Sequence, residues 1–448
     1  MRSRMRLLAA LLAIFALVAA ACGDDDGGDD AADTTAPADT TETTEAPDDG
    51  DDDADGGDEA TTTTAAPVVR ADADLVIWAD DTRTPVITPF AEQFGEENGL
   101  TVAVQELAFD AIRDRLQVAG PAGEGPDIII GAHDWLGQLV TSGVVAPVDL
   151  SAVEDQFLDV GVTAFTYEGN TYGVPYAVES IALVRNTELV PEAPATFEEL
   201  VDIALGLVDS GEATVPIGLQ QNPGDPFHNM PLFTALGGYV FGLTDAGYDP
   251  NDLGIDSEGG LAAAAQFAEW ADRGFISSET SYDVMIESFG QGDAPFAITG
   301  PWAVAEADRG FKATGVPYVV EPIPPVAGGT PRPFVGVQGF MVSAFAENPL
   351  AAQTFVIDFM AGQEAQTALF EAGGRPPANA AAFEAASADP DIQGFGLAAA
   401  DGLPMPAIPE MGSVWSAWTD AYQLVLTGSD PEQTFRDAAD QIRNLITG

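Results

Sequence analysis

Three consecutive isoleucines between Asp127 and Gly131 constrain this chain more than any other feature. A strand without polar alternation is buried on both faces, as in a parallel sheet covered by helices. The neighbouring segments fit such a sheet. Leu75–Trp78 and Thr101–Gln105 read as strands. Pro85–Gly95, with Val86, Phe90 and Phe94 at helical spacing, and Asp110–Val118 read as helices. This βαβαβ order predicts an α/β lobe. A second series begins near Thr196, with helices at Phe197–Asp209, Pro231–Leu236, Gly260–Asp272 and Tyr282–Phe289 and strands at Val215–Leu219 and Ala294–Thr299. Pro333–Val342 follows as a strand, and Asn348–Phe370 and Pro431–Ile446 as helices. At 448 residues the chain exceeds one usual domain, so two α/β lobes joined by several crossings account for the pattern.

The N-terminal part has a different character. Arg2, Arg4 and Arg6 precede an apolar run from Leu7 to Ala21, which is short for a bilayer span and suits the core of a signal peptide. Ala19, Ala20 and Ala21 lead into Cys22 and Gly23 in the manner of a bacterial lipobox. Residues 1–21 are therefore expected to be removed and Cys22 lipidated. Cys22 is the single cysteine, so no intrachain disulfide exists. From Gly23 to about Pro67 the residues are almost all Asp, Thr, Ala, Gly, Pro and Glu, too apolar-poor to offset the entropy of ordering. Residues 22–71 are expected to be the lipidated cysteine and a disordered, self-repelling acidic spacer. Asp51, Asp53, Asp55 and Gly56 imitate the opening of an EF-hand loop, yet Thr62 stands where its bidentate glutamate belongs and no helical pattern flanks it.

The formal net charge of −57 disfavours nucleic acid, anionic membrane surfaces and anionic ligands, while a neutral polyol meets no such penalty. His133 and His228 are the only histidines, and neither has a Cys or His partner at metal-ligand spacing. Neither metal nor cofactor is expected. The two histidines read as local hydrogen-bonding residues.

Six motifs occur in a telling order: LVIWADDTR at 75–83, GEGPDIIIGAHDWLG at 123–137, YGVPYAVESIALVRN at 172–186, TGPWAV at 299–304, PFVGVQGF at 333–340 and PMPAIPEMGSVW at 404–415. Together they resemble the maltose and maltodextrin-binding proteins of bacterial ABC importers, from about residue 72 to the C-terminus. The resemblance implies a periplasmic-binding-protein-like α/β fold of two lobes with hinge crossings and an interlobe cleft. The N-terminal lobe would take 72–178 and 335–380, and the other 180–333 and 385–448. Crossings would fall near Val178–Glu179, Val335–Val337 and Pro377. It also implies capture of a malto-oligosaccharide-like sugar by a monomer held to the outer face of the cell membrane by its lipid, and delivery to the permease subunits of an importer.

A sugar cleft requires acceptors and donors for hydroxyls, and aromatic rings under the flatter C–H faces. Asp80, Asp81 and Arg83 follow the first strand, and Asp134 and Trp135 follow the Asp127–Gly131 strand, where ligand groups converge in open α/β sheets. By the resemblance these contact the ligand, as do Glu179 in a crossing, Asp225 and Phe227 on the second lobe, and the stacking residues Trp302 and Trp415. Departures from relatives are Trp135 in place of an arginine, Gly131 in place of an aromatic found in some, and Phe227 in place of a tyrosine. Trp78, Trp270 and Trp418 read as core. Asp80, Asp134, Glu179 and Asp225 supply enough carboxylates for the rival reading, an extracellular glycosidase on α-glucans. No nucleophile elbow, phosphate loop or zinc motif accompanies them. A third reading is an adhesin with no small ligand.

Overall fold

The computed structural model describes residues 69–244 and 247–447. The expected signal peptide, Cys22 and nearly all of the acidic spacer lie outside the described residues. From Leu75 the chain runs β1 (Leu75–Ala79), α1 (Thr84–Asn98), β2 (Val102–Glu106), α2 (Phe109–Ala122) and β3 (Ile128–Ala132). Both β2 and β3 pair parallel with β1, so the βαβαβ reading holds. Burial explains the isoleucine run. Leu75, Ile77, Ile128 and Ile130 pack on one face with Ile87 and Phe94 of α1. Val76, Trp78 and Ile129 pack on the other with Ile112 and Leu116 of α2. Each such side chain contributes about 1.5–3 kcal/mol on burial.

Two longer later strands and the two-residue strands Val145–Ala146 and Leu403–Pro404 complete this seven-stranded sheet. β4 (Gly173–Glu179) leads directly into β5 (Ala182–Asn186), the central strand of a second sheet. The helices α3 (Phe197–Ser210), α4 (Pro226–Ala235), α5 (Glu258–Asp272) and α6 (Tyr282–Gly290) follow, and β6 (Phe296–Thr299) pairs antiparallel with β5. A short helix α7 (Pro301–Ala305) precedes β7 (Tyr318–Glu321), antiparallel on the other side of β5. The ten-residue β8 (Phe334–Ser343) then returns to the first sheet, where it lies antiparallel between β3 and β4. After it come α8 (Gln363–Gly373), α9 (Trp415–Leu426) and α10 (Pro431–Thr447). The chain thus passes between the two sheets at β4–β5 and again on entering β8, the topology of a two-lobed α/β protein.

Three expectations need correction. Val215–Leu219 is not a strand but a single bridge, Gly218 to Ala297, because Pro216 has no N–H to give a ladder. The helix expected over Asn348–Phe370 is broken: Pro349–Thr354 is α-helical, Phe355–Met360 is a π turn, and α8 starts afresh after Gly362. The helix placed at Pro231 begins at Pro226, where Asp225 caps it by accepting from the His228 N–H at 3.0 Å. Trp78, Trp270 and Trp418 are buried in the core, as expected.

Candidate functional site

All ten residues singled out from the sequence line one cleft of about 1250 Å³: Asp80, Asp81, Arg83, Asp134, Trp135, Glu179, Asp225, Phe227, Trp302 and Trp415. The topology brings them together. The first three follow β1, the next two lie in the turn His133–Trp135 after β3, and Glu179 closes β4. Asp225 and Phe227 open α4, Trp302 opens α7 after β6, and Trp415 opens α9.

Most of the carboxylates are engaged within the protein. Asp80 and Arg83 form a buried ion pair, and the Arg83 Nε–H also donates to the Tyr176 hydroxyl. Burial, reinforced by the nearby Arg375 charge, lowers the proton affinity of Arg83, while Tyr176 and Glu179 oppose this. Asp81 is exposed and accepts from the Thr82 N–H at 2.8 Å. Asp225 serves as the α4 cap and holds His228 Nδ1 at 2.7 Å. Glu179 uses both oxygens, Oε1 accepting from Gln338 Nε2 at 2.7 Å and Oε2 from Arg375 Nε at 2.6 Å.

Asp134 differs. It is buried, its Oδ2 accepts from the Trp415 indole N–H at 3.0 Å, and among the described residues it has no ion-pair partner. Burial pushes its carboxyl up to about 6, against the pull of Arg113 and the Trp415 N–H. A carboxyl in this state switches between acceptor and donor within one pH unit of 6.

The rings form a continuous set. Trp302 lies 6.2 Å from Phe227, Phe227 stacks 6.3 Å from Phe334, and Phe334 meets Trp415 edge-on at 6.2 Å. Trp302 and Trp415 are half-buried, whereas Phe334 is buried behind them. Trp135 is differently placed: it packs on Phe109 at 4.9 Å and its ring covers Gly131, where a Cβ would sit 2.2 Å from the indole. The two departures, Gly131 and Trp135, are one steric unit, and Trp135 is 94% withdrawn from solvent.

The histidines are local bonding residues. His228 bonds Asp225, and His133 accepts from the Val337 N–H on Nδ1 at 3.0 Å and lies 3.0 Å from the Met405 carbonyl through Nε2. Burial lowers His133 to about 4, so it is neutral with its proton on Nε2. Among the described residues, no group of three or more His, Cys, Asp or Glu side chains is arranged to hold a metal ion.

Residues that sequence reasoning missed include Gln338, Arg375, Tyr282 and Arg113, all of which line the cleft. Gln338 lies inside the quoted PFVGVQGF motif and was available there. Tyr282 donates to Glu306 Oε2 at 2.8 Å, and burial together with that carboxylate raises its phenol well above the ordinary value.

Two lobes that close rings, carboxylates and guanidinium groups around one open cleft define a ligand-capturing clamp. The comparisons with known proteins agree. The model of the bacterial extracellular solute-binding protein family matches residues 90–394, and the chain belongs to that family. It is 29% identical to the galactooligosaccharide-binding protein of Bacillus subtilis, over 84% of this chain and 90% of that relative. It is 27% identical to the maltooligosaccharide ABC transporter solute-binding lipoprotein of Streptococcus pneumoniae R6, over 83% and 89%. Among solved structures, the Thermus thermophilus maltotriose binding protein bound with maltotriose superposes with a TM-score of 0.76 at 30% identity, covering 83% of this chain and all of the other. The family match bears out the reading as an extracytoplasmic solute binder and not an enzyme. No helix of the described residues is long and apolar enough to cross a membrane.

Proposed function

We propose that the cleft captures a neutral malto-oligosaccharide and that the protein delivers it to an ABC importer. The observation that carries this reading is the meeting, in one cleft, of the half-buried rings Trp302 and Trp415 with the buried acceptor Asp134 and the guanidinium-paired Glu179. Ring faces suit sugar C–H groups, and buried charged acceptors suit hydroxyls. The names of the pneumococcal lipoprotein and of the Thermus maltotriose complex support the ligand class and the importer.

The lobes are proposed to comprise 72–178 with 335–380 and 180–333 with 385–448. In support, the crossing segments run side by side: the Val178 N–H donates to the Pro376 carbonyl at 2.8 Å, and Gly336 is paired with Glu179. Contacts from both walls favour the closed arrangement by their differential affinity. Cys22 is proposed to carry the lipid that keeps a monomer at the outer face of the cell membrane.

Calorimetric titration with maltose, maltotriose, longer maltodextrins and galacto-oligosaccharides tests the reading. Saturable heat with maltodextrins, weakened at least tenfold by Trp302→Ala or Trp415→Ala while folding is retained, supports it. Preference for galacto-oligosaccharides would move the ligand class, and unchanged affinity in both variants would overturn the site.

A further inference from the structure

Three segments at the proposed lobe crossings each send one side chain to the same point. Glu179 comes from the first, Gln338 from the second and Arg375 from the third, and Glu179 binds both of the others through separate oxygens at 2.7 and 2.6 Å. The strand register brings the first two near, since Gly336 and Gln338 of β8 lie opposite Glu179 and Ala177 of β4. Arg375 reaches them because α8 ends at Gly374 in the left-handed region, φ +64°, and the next residues pair with β4 through Ala177 and Pro377.

Arg375 has a second contact. Its guanidinium carbon lies 5.2 Å from the centre of the Trp302 ring. Trp302 belongs to the other sheet's segment, following β6, and its ring also neighbours His228, edge-on at 5.8 Å, and Phe227. Arg375 is 9% exposed and fixed by the Glu179 ion pair, so it is a rigid backing for the ring. A planar guanidinium can stack and form a directed ion pair at once, which an ammonium cannot match.

We propose that Arg375 is the positioning residue for the ligand's ring platform: its guanidinium backs Trp302 while its ion pair with Glu179 ties that ring to all three crossings, so that a ligand stacked on Trp302 is held against the hinge itself. The proposal rests on the carbohydrate reading of the cleft.

A double-mutant cycle tests it. Trp302→Ala, Arg375→Met and the pair are made in the wild-type protein and again with Glu179→Gln, which avoids leaving a buried carboxylate unpaired. Each is titrated with maltotriose, and thermal unfolding without ligand identifies any variant that has lost its fold. Arg375→Met is expected to weaken maltotriose roughly 2- to 30-fold, the span of a cation–π contact from exposed to desolvated. Arg375→Lys is expected not to restore it, and Trp302→Ala is expected to cost at least threefold less once Arg375 is gone. Effects that multiply within twofold, or a Lys variant equal to wild type, overturn the proposal and leave the carbohydrate reading standing. Absence of maltotriose binding by the unsubstituted protein sinks both.

Discussion

Replacing Trp415 by Phe removes one N–H and keeps an aromatic ring in the cleft. The lost group is the donor to Asp134 Oδ2 at 3.0 Å, the one side-chain hydrogen bond that this buried carboxylate receives among the described residues. Burial has already moved the Asp134 carboxyl from 3.8 to about 6, which disfavours its ionised form by roughly 3 kcal/mol at 1.36 kcal/mol per unit. Because the folded value lies above the unfolded one, the stabilising contribution of Asp134 is full below about pH 4 and is lost as pH rises through 6. A hydrogen bond to a charged group contributes about 1.5–3 kcal/mol, so its loss in Trp415→Phe lifts the ionisation by roughly one to two pH units. Carbon-13 NMR of labelled aspartate, with the Asp134 signal assigned from Asp134→Asn, reads this midpoint directly. The expected result is a midpoint near 6 in the wild type and near 7 to 8 in Trp415→Phe. An unchanged or lower midpoint in the variant would refute the claim that the indole N–H holds this carboxylate.

Other expectations follow from the same packing. Gly131→Ala places a methyl 2.2 Å from the Trp135 ring and is expected to destabilise the fold by about 1–3 kcal/mol in denaturant unfolding, with Trp135→Leu restoring most of the loss. His133, lowered to about 4 by burial, stabilises the fold fully above pH 6.5 and loses that contribution as pH falls through 4; His133→Gln is expected to flatten this part of the stability–pH curve. Asp225→Ala removes both the α4 cap and the His228 partner, and a loss of about 1–2 kcal/mol in unfolding free energy is expected. Prolonged incubation with maltodextrin is expected to release no reducing ends, and their appearance would favour the glycosidase reading.

How far the sequence could be read depended on whether a residue's partners are local. The DIIIG run announced a strand buried on both faces, and the helical segment Pro85–Gly95 showed a plain period, so the stretch from β1 to β3 was legible element by element. Val215–Leu219 was misread because its apolar content hides Pro216, which interrupts the ladder. The break at Gly362 was hidden within an otherwise helical composition. Site residues that stand directly after strands, such as Asp134 and Trp302, were visible from position together with the family resemblance. Arg375 was not, since it takes its meaning from Glu179, 196 residues away, and Gln338, though inside a quoted motif, owes its role to the same residue, 159 away. The sequence could link Gly131 and Trp135 only as a stacking contact missing or relocated; that the ring occupies the space the glycine leaves is seen in the fold.

The most direct test of the central claim is a calorimetric titration of the protein with maltotriose at neutral pH. Saturable binding of one oligosaccharide per chain, lost or strongly weakened in Trp302→Ala, is the predicted result. No heat of binding with any member of the maltodextrin series, from a protein shown to be folded, would contradict it.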